Sequence, residues 1–255
     1  MRIIYDNYLD DVSSASLLAS NADSQYPLTN AQDQRLTVQW RTDDGATTQT
    51  AVFDLGSAMS CTVFAILGHN LATGGTVTVV GASAIGGSLV WDASSESSTQ
   101  TVTYNAGPML TFVSAMSYRY WKFTFAGQTD DIHIGRLWIG TYLTVDPSSL
   151  DDFSVTKKRD DIVVYGKGRQ KYASVGDGWR SFDLTFPKTG GSMLSSIQTF
   201  YDTVGKHSSF IFCNFDTTRS YALVDPCYVS IADDLGFSHR GRQFYTYSIT
   251  MEEDR

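Results

Sequence analysis

The chain has 255 residues, 42% hydrophobic and 13% aromatic, with a formal net charge of −8. That length supports the core of one large or two ordinary domains without staples, and the composition excludes a disordered chain. The acidic balance argues against a protein that grips nucleic acid through its phosphates.

Glu96, Glu252 and Glu253 are the only glutamates, while Thr, Ser, Tyr and Phe abound, which favours strands and turns over helices. Residues 1–150 hold six Lys/Arg against thirteen acids, and residues 151–255 hold thirteen against fourteen, a shift that suggests two domains. Cys61, Cys213 and Cys227 show no CxxC spacing, so neither zinc nor a disulfide framework is indicated. The opening MRIIYDNYLDD lacks the basic and long apolar regions of a secretory signal, and no apolar run reaches membrane-spanning length. A protein made in a cytoplasm, without membrane insertion, is expected.

In the first half, short alternating runs are separated by turn residues. VFDL (52–55), TVFAIL (62–67), TVTVV (76–80), SLVW (88–91), YWKFTF (120–125) and IHIGRLWI (132–139) read as strands. In YWKFTF the alternation places Trp121, Phe123 and Phe125 on one face. Such strands, with no helical period between them, predict a β-sandwich over residues 1–145. Pro147 and the polar run after it predict a linker over 146–152.

From residue 153 the pattern changes. DFSVTKKRDDIVVYGKG predicts a hairpin turning at Arg159–Asp161, followed by a polar loop through GRQKYASVGDG. SFDLTF (181–186), SFIFCNF (209–215), PCYVSIA (226–232) and RQFYTYSITME (242–252) read as strands. Between them, Met193, Ile197, Phe200, Tyr201 and Val204 recur at helical spacing, which predicts a helix over 192–204 ended by Gly205. The expected fold class is mainly β: a β-sandwich, then a β-rich domain over 153–255 with one packed helix.

No catalytic constellation asks for an enzyme: no nucleophile elbow, ordered Ser-His-Asp set or singled-out carboxylate pair stands out. Asp130, Asp131 and His133 can ligate a metal only with help from elsewhere, and a solvated turn explains them better. Gly166, Gly168 and Gly176 lack the spacing and following helix of a phosphate loop, so neither metal nor cofactor is expected. Trp40 and Arg41, in VQWRTDDG, suit stacking on and hydrogen bonding to a sugar, and Trp40 equally suits closing the base of the sandwich while Arg41 pairs with an acid. His69 in LGHNL and Trp91 are further candidates for glycan contact, with a strand-end cap as the plainer reading of His69. Lys157, Lys158, Arg159, Lys167, Arg169 and Lys171 form a basic cluster interleaved with acids, which suits a subunit interface facing an acidic neighbour.

SNADSQYPLTNAQD, QWRTDD, VFDLGSAMSCTVFAILGHNL, YRYWKFTF and IHIGRLWIG follow one another in an order that resembles the discoidin, or galactose-binding-like, jelly rolls. The GRLWIG ending is especially similar to versions in bacteriophage structural proteins. GKGRQKY, GWRSFDLTF, the amphipathic helix and SFIFCNFD resemble phage minor and distal tail proteins of the tail-tube type. The resemblance implies a virion component of the tail tip or baseplate, assembled in the host cytoplasm. It would form a homo-oligomeric ring joined to neighbouring tail proteins, with a jelly roll that touches host-surface carbohydrate. A carbohydrate-binding adhesion module without a ring-forming role is the alternative.

Overall fold

A computed structural model of the chain describes residues 1–43, 47–97, 99–145, 152–165, 167–215, 222–239 and 244–254. Residues 44–46 of the expected acidic turn, 146–151 of the expected linker, Gly166, and 242–243 of the last expected strand lie outside them. Two compact units emerge. One holds Arg2–Leu143 with Val224–Pro226, the other Thr144–Leu223 and Cys227–Arg255 with Met1. Among the described residues no helix is long and apolar enough to cross a membrane.

The strands up to the end of the first unit are β1 (Arg2–Ile4), β2 (Leu17–Ala19), β3 (Trp40–Arg41), β4 (Thr48–His69), β5 (Thr76–Ala82), β6 (Gln100–Val102), β7 (Met109–Ala126), β8 (His133–Gly140) and β9 (Leu143–Thr144). Hydrogen bonding runs in the order β3-β8-β4-β7-β5-β6, with β2 on β4. VFDL and TVFAIL, expected as separate strands, are the two halves of β4. Its register with β7 shifts between Asp54 and Met59, where Gly56 takes φ +75° and its N–H bonds the Asp54 carboxylate at 2.8 Å. The first half of β4 pairs with the end of β7, and the second half with the start of β7 and with β8. Phe53 from one half and Phe64 from the other both reach Phe123, at 6.0 and 6.4 Å between ring centroids. The connected sheet therefore folds over on itself, and the first unit is a β-sandwich.

Trp121, Phe123 and Phe125 point into the core, as their alternation predicts. SLVW is not a strand. It is a 3-10 turn over Gly87–Leu89 in which Ser88 and Leu89 hold φ of 56° and 58°, closed by the Gly86 N–H on the Val90 carbonyl at 2.8 Å.

The second unit contains β10 (Asp152–Arg159), β11 (Ile162–Tyr165), β12 (Lys171–Ser174), β13 (Gly178–Gly190), helix α1 (Gly191–Val204), β14 (Phe210–Phe215), β15 (Ala222–Ile231), β16 (Gly236–His239) and β17 (Phe244–Glu253). Its strands order as β10-β13-β17-β15-β14, with β16 on β17. Leu194, Ile197, Phe200 and Val204 bury one face of α1, so Leu194 joins the expected apolar stripe while Met193 and Tyr201 stay half-buried. Gly205 ends the helix at φ +54°.

The hairpin expected to turn at Arg159–Asp161 does not form there. β10 pairs with β13, from Asp152 opposite Thr185 to Arg159 opposite Gly178, and β11 pairs separately with β12. β11 and β12 thus continue the β10–β13 pair as a two-stranded ribbon, with the Asp160 N–H on the Asp177 carbonyl where the two pairs join. The polar loop expected through GRQKYASVGDG supplies the returning strand.

Candidate functional site

The fold separates the four glycan-contact candidates. Trp40 has no exposed surface and lies 5.7 Å from the Phe125 ring, so it offers no face to a sugar. It closes the sandwich core, because in the two-residue β3 it takes the inward position and leaves Arg41 the outward one. His69 is half-buried and engaged at both ring nitrogens. Nε2 lies 3.0 Å from the Gly107 carbonyl and Nδ1 accepts the Leu71 N–H at 3.3 Å, and burial lowers its pKa. It pins two loops and has no donor left for a ligand. Trp91 donates to Glu96 at 2.5 Å, Lys122 sits 4.5 Å above its ring, and Lys122 pairs with Glu96 at 2.9 Å. Its indole is thereby occupied on one face and at its nitrogen.

Arg41 is different. Its guanidinium lies 4.1 Å above the Tyr26 ring, and its Nε is buried without a hydrogen-bond acceptor among the described residues. His133 stands opposite it in register on β8. The Asp-Asp-x-His run is organised by Asn70, whose amide donates to the Asp131 carbonyl and accepts the His133 N–H, both at 2.7 Å. One side chain thus clamps the chain on both sides of buried Ile132, the arrangement of a turn. Among the described residues no group of three or more His, Cys, Asp and Glu gathers as a metal site. Cys61 is buried, and burial pushes its thiol up to about 12, so it is inert.

The second unit carries a feature of another kind. Ile162, Val164 and Tyr172 share one face of the ribbon and are 64%, 57% and 60% exposed. Val163 and Tyr165 lie bare on the other face, and Val175 follows β12. Nothing in the sequence marks these residues as exposed, because IVVY reads like any buried strand. At the root of the ribbon, an open groove of about 550 Å³ is lined by Lys157, Lys158, Arg159, Trp179, Arg180 and Glu253, with Gly178 between them. Three residues of the expected basic cluster therefore meet there, while Lys167, Arg169 and Lys171 lie toward the far end of the ribbon, all exposed. Trp179, Arg180 and Glu253 were not legible as their neighbours, since the groove is assembled by pairing of β10, β13 and β17.

No family model and no curated protein matches the chain. Among solved structures it is similar to chitosan-binding module 1 of a chitosanase/glucanase from Paenibacillus sp. IK-5, with 15% identity over 54% of this chain and 100% of that one and a TM-score of 0.42. It is also similar to a Streptococcus pneumoniae fucose binding module, with 11% identity, 53% and 95% coverage and a TM-score of 0.41. The lectin domain of lectinolysin, complexed with Lewis B antigen, gives 14% identity, 52% and 95% coverage and a TM-score of 0.41.

Proposed function

We propose that this chain is a structural protein that assembles with copies of itself through the β11–β12 ribbon. The ribbon's exposed apolar side chains carry the reading. A two-stranded ribbon is marginal in water on its own, and one that exposes apolar side chains on both faces invites a covering partner. The sequence resemblance supplies the setting: a ring at the tail tip of a phage or phage-derived particle, assembled in the host cytoplasm beside neighbouring tail proteins. No catalytic role is proposed. Val164→Lys places a charge in the apolar strip without touching a core. Light scattering after size exclusion is expected to show an oligomer for the parent chain and a smaller species for this variant. An unchanged oligomer would contradict the role given to the ribbon.

A second reading, a carbohydrate-binding adhesion module, is favoured by the Arg41–Tyr26 pair. A half-buried guanidinium held on an aromatic ring suits the hydroxyl or carboxylate groups of a glycan. On a glycan array, binding that disappears with Arg41→Ala supports this reading, and silence of the parent chain removes it. Both readings hold together if the assembled particle also touches a host surface.

A further inference from the structure

We infer that β11 of one copy of this chain joins the sheet of the next copy as the strand beside β16. The inference rests on the assembly reading and names the surface that receives the ribbon. Both strands are edges: among the described residues β11 pairs only with β12, and β16 only with β17. Each is four residues long, Ile162–Tyr165 and Gly236–His239, and every residue of both is exposed. A bare edge offers unpaired backbone N–H and C=O groups, and a strand of matching length from another chain satisfies them.

The side chains favour the same pairing. β11 carries apolar side chains on both faces, so it suits a sheet position with apolar neighbours on both. Besides the ribbon, the second unit's exposed large hydrophobics among the described residues are Val155, Phe237 and Phe244. Phe237 stands opposite Tyr247 in register, on the face where Tyr247 stacks on Phe186 at 4.5 Å between ring centroids. Phe244, an odd number of residues from Tyr247 on the same strand, takes the other face. The β16–β17 end thus offers an aromatic ring on each face.

Charge sets the direction. Residues 162–174 hold Lys167, Arg169 and Lys171 and no acid, whereas exposed Asp233 and Asp234 precede β16. Antiparallel pairing brings the end of β11 and Lys167 beside those two carboxylates, while parallel pairing brings Asp160 and Asp161 there instead. Asp234 also pairs with Lys206 at 2.8 Å, yet its side chain stays 86% exposed. Matched end to end, the antiparallel strands set Val164 opposite Phe237. The bare edge of β10 is a poorer host, because Lys157, Lys158 and Arg159 on it repel a basic ribbon. Two different edges meet, so the contact is heterologous and closes into a ring or continues as a filament.

Sedimentation velocity of two variants of the full chain tests this. Val164→Lys spoils the ribbon and Phe237→Lys spoils the β16 edge. Both sites are exposed, so melting temperatures equal to the parent's are expected. Each variant alone is expected to self-associate at least about tenfold more weakly than the parent. An equimolar mixture is expected to form a one-to-one heterodimer that grows no further, since one chain keeps its edge and the other its ribbon. Phe237→Ser, which adds no charge, repeats the test if the lysine lowers the melting temperature. If the Phe237 variant associates as the parent does while Val164→Lys dissociates, or if the mixture stays monomeric, the β16 edge is overturned and the ribbon stands. If the parent chain never associates, both fall.

Discussion

Asp10 and Arg136 form an ion pair of unequal partners in the first unit. The guanidinium is buried on β8, at 1% exposure, while the carboxylate 2.6 Å away is 36% exposed. Burial pushes the Asp10 carboxyl up to about 6 from its ordinary 3.8, against the opposing pull of Arg136 and the Asn7 amide. The folded state then holds this proton more tightly than the unfolded chain does. The carboxyl's contribution to stability is full below the ordinary carboxylate range and declines as pH rises through about 6. The melting-temperature advantage of the parent over Asp10→Asn should therefore narrow from about pH 4 to about pH 7. An advantage that grows with pH would mean that Arg136 outweighs burial. Glycine supplies a second test at this scale. A Cβ on Gly135 would lie 2.6 Å from the Leu36 carbonyl oxygen, and one on Gly140 would collide with the Asp6 carbonyl. The two glycines of GRLWIG let neighbouring backbone segments lie against β8. Gly135→Ala is expected to destabilise the unit by about 1–3 kcal/mol, read by chemical denaturation, and an unchanged midpoint would refute the close approach.

Among the elements, legibility followed how local the determinants are. The strand YWKFTF and helix α1 carry their periodicity in a few consecutive residues; the strand's face came out as its pattern requires, and the helix's did so with Leu194 added and Met193 and Tyr201 left half-buried. β8 defeats that logic because it is covered on both sides. Ile134 through Gly140 are all buried, Arg136 included, so its run of side chains shows no polar face. The hairpin at Arg159–Asp161 was misplaced for a related reason. RDD is a fair turn signal, but the partner of β10 begins at Gly178, and KYAS carries no apolar alternation to announce it as the partner of IVVY. For the candidate sites, residue type was legible and setting was not. Trp40 and Arg41 are adjacent, yet only pairing with β8 decides that the ring goes in and the guanidinium out. The Tyr26 ring under Arg41, and Arg180 and Glu253 beside the basic run, come from other segments, brought close by tertiary contacts that no local pattern records.

At the scale of the whole chain, residues 153–178 are basic where the remainder is acidic, and β11 and β12 expose apolar side chains on both faces of their ribbon. In the assembly we propose, apolar area would give the contact its strength and charge its direction. Replacing residues 161–176 by a short Asn-Gly turn tests this most directly. The flanking backbone already meets there, Asp160 donating to the Asp177 carbonyl at 3.3 Å, so β10 and β13 keep their pairing. In sedimentation velocity at micromolar concentration, the full chain should run as an oligomer and the shortened chain as a monomer with an unchanged melting temperature. Equal association of the two chains, or a full chain that stays monomeric, would contradict assembly through the ribbon.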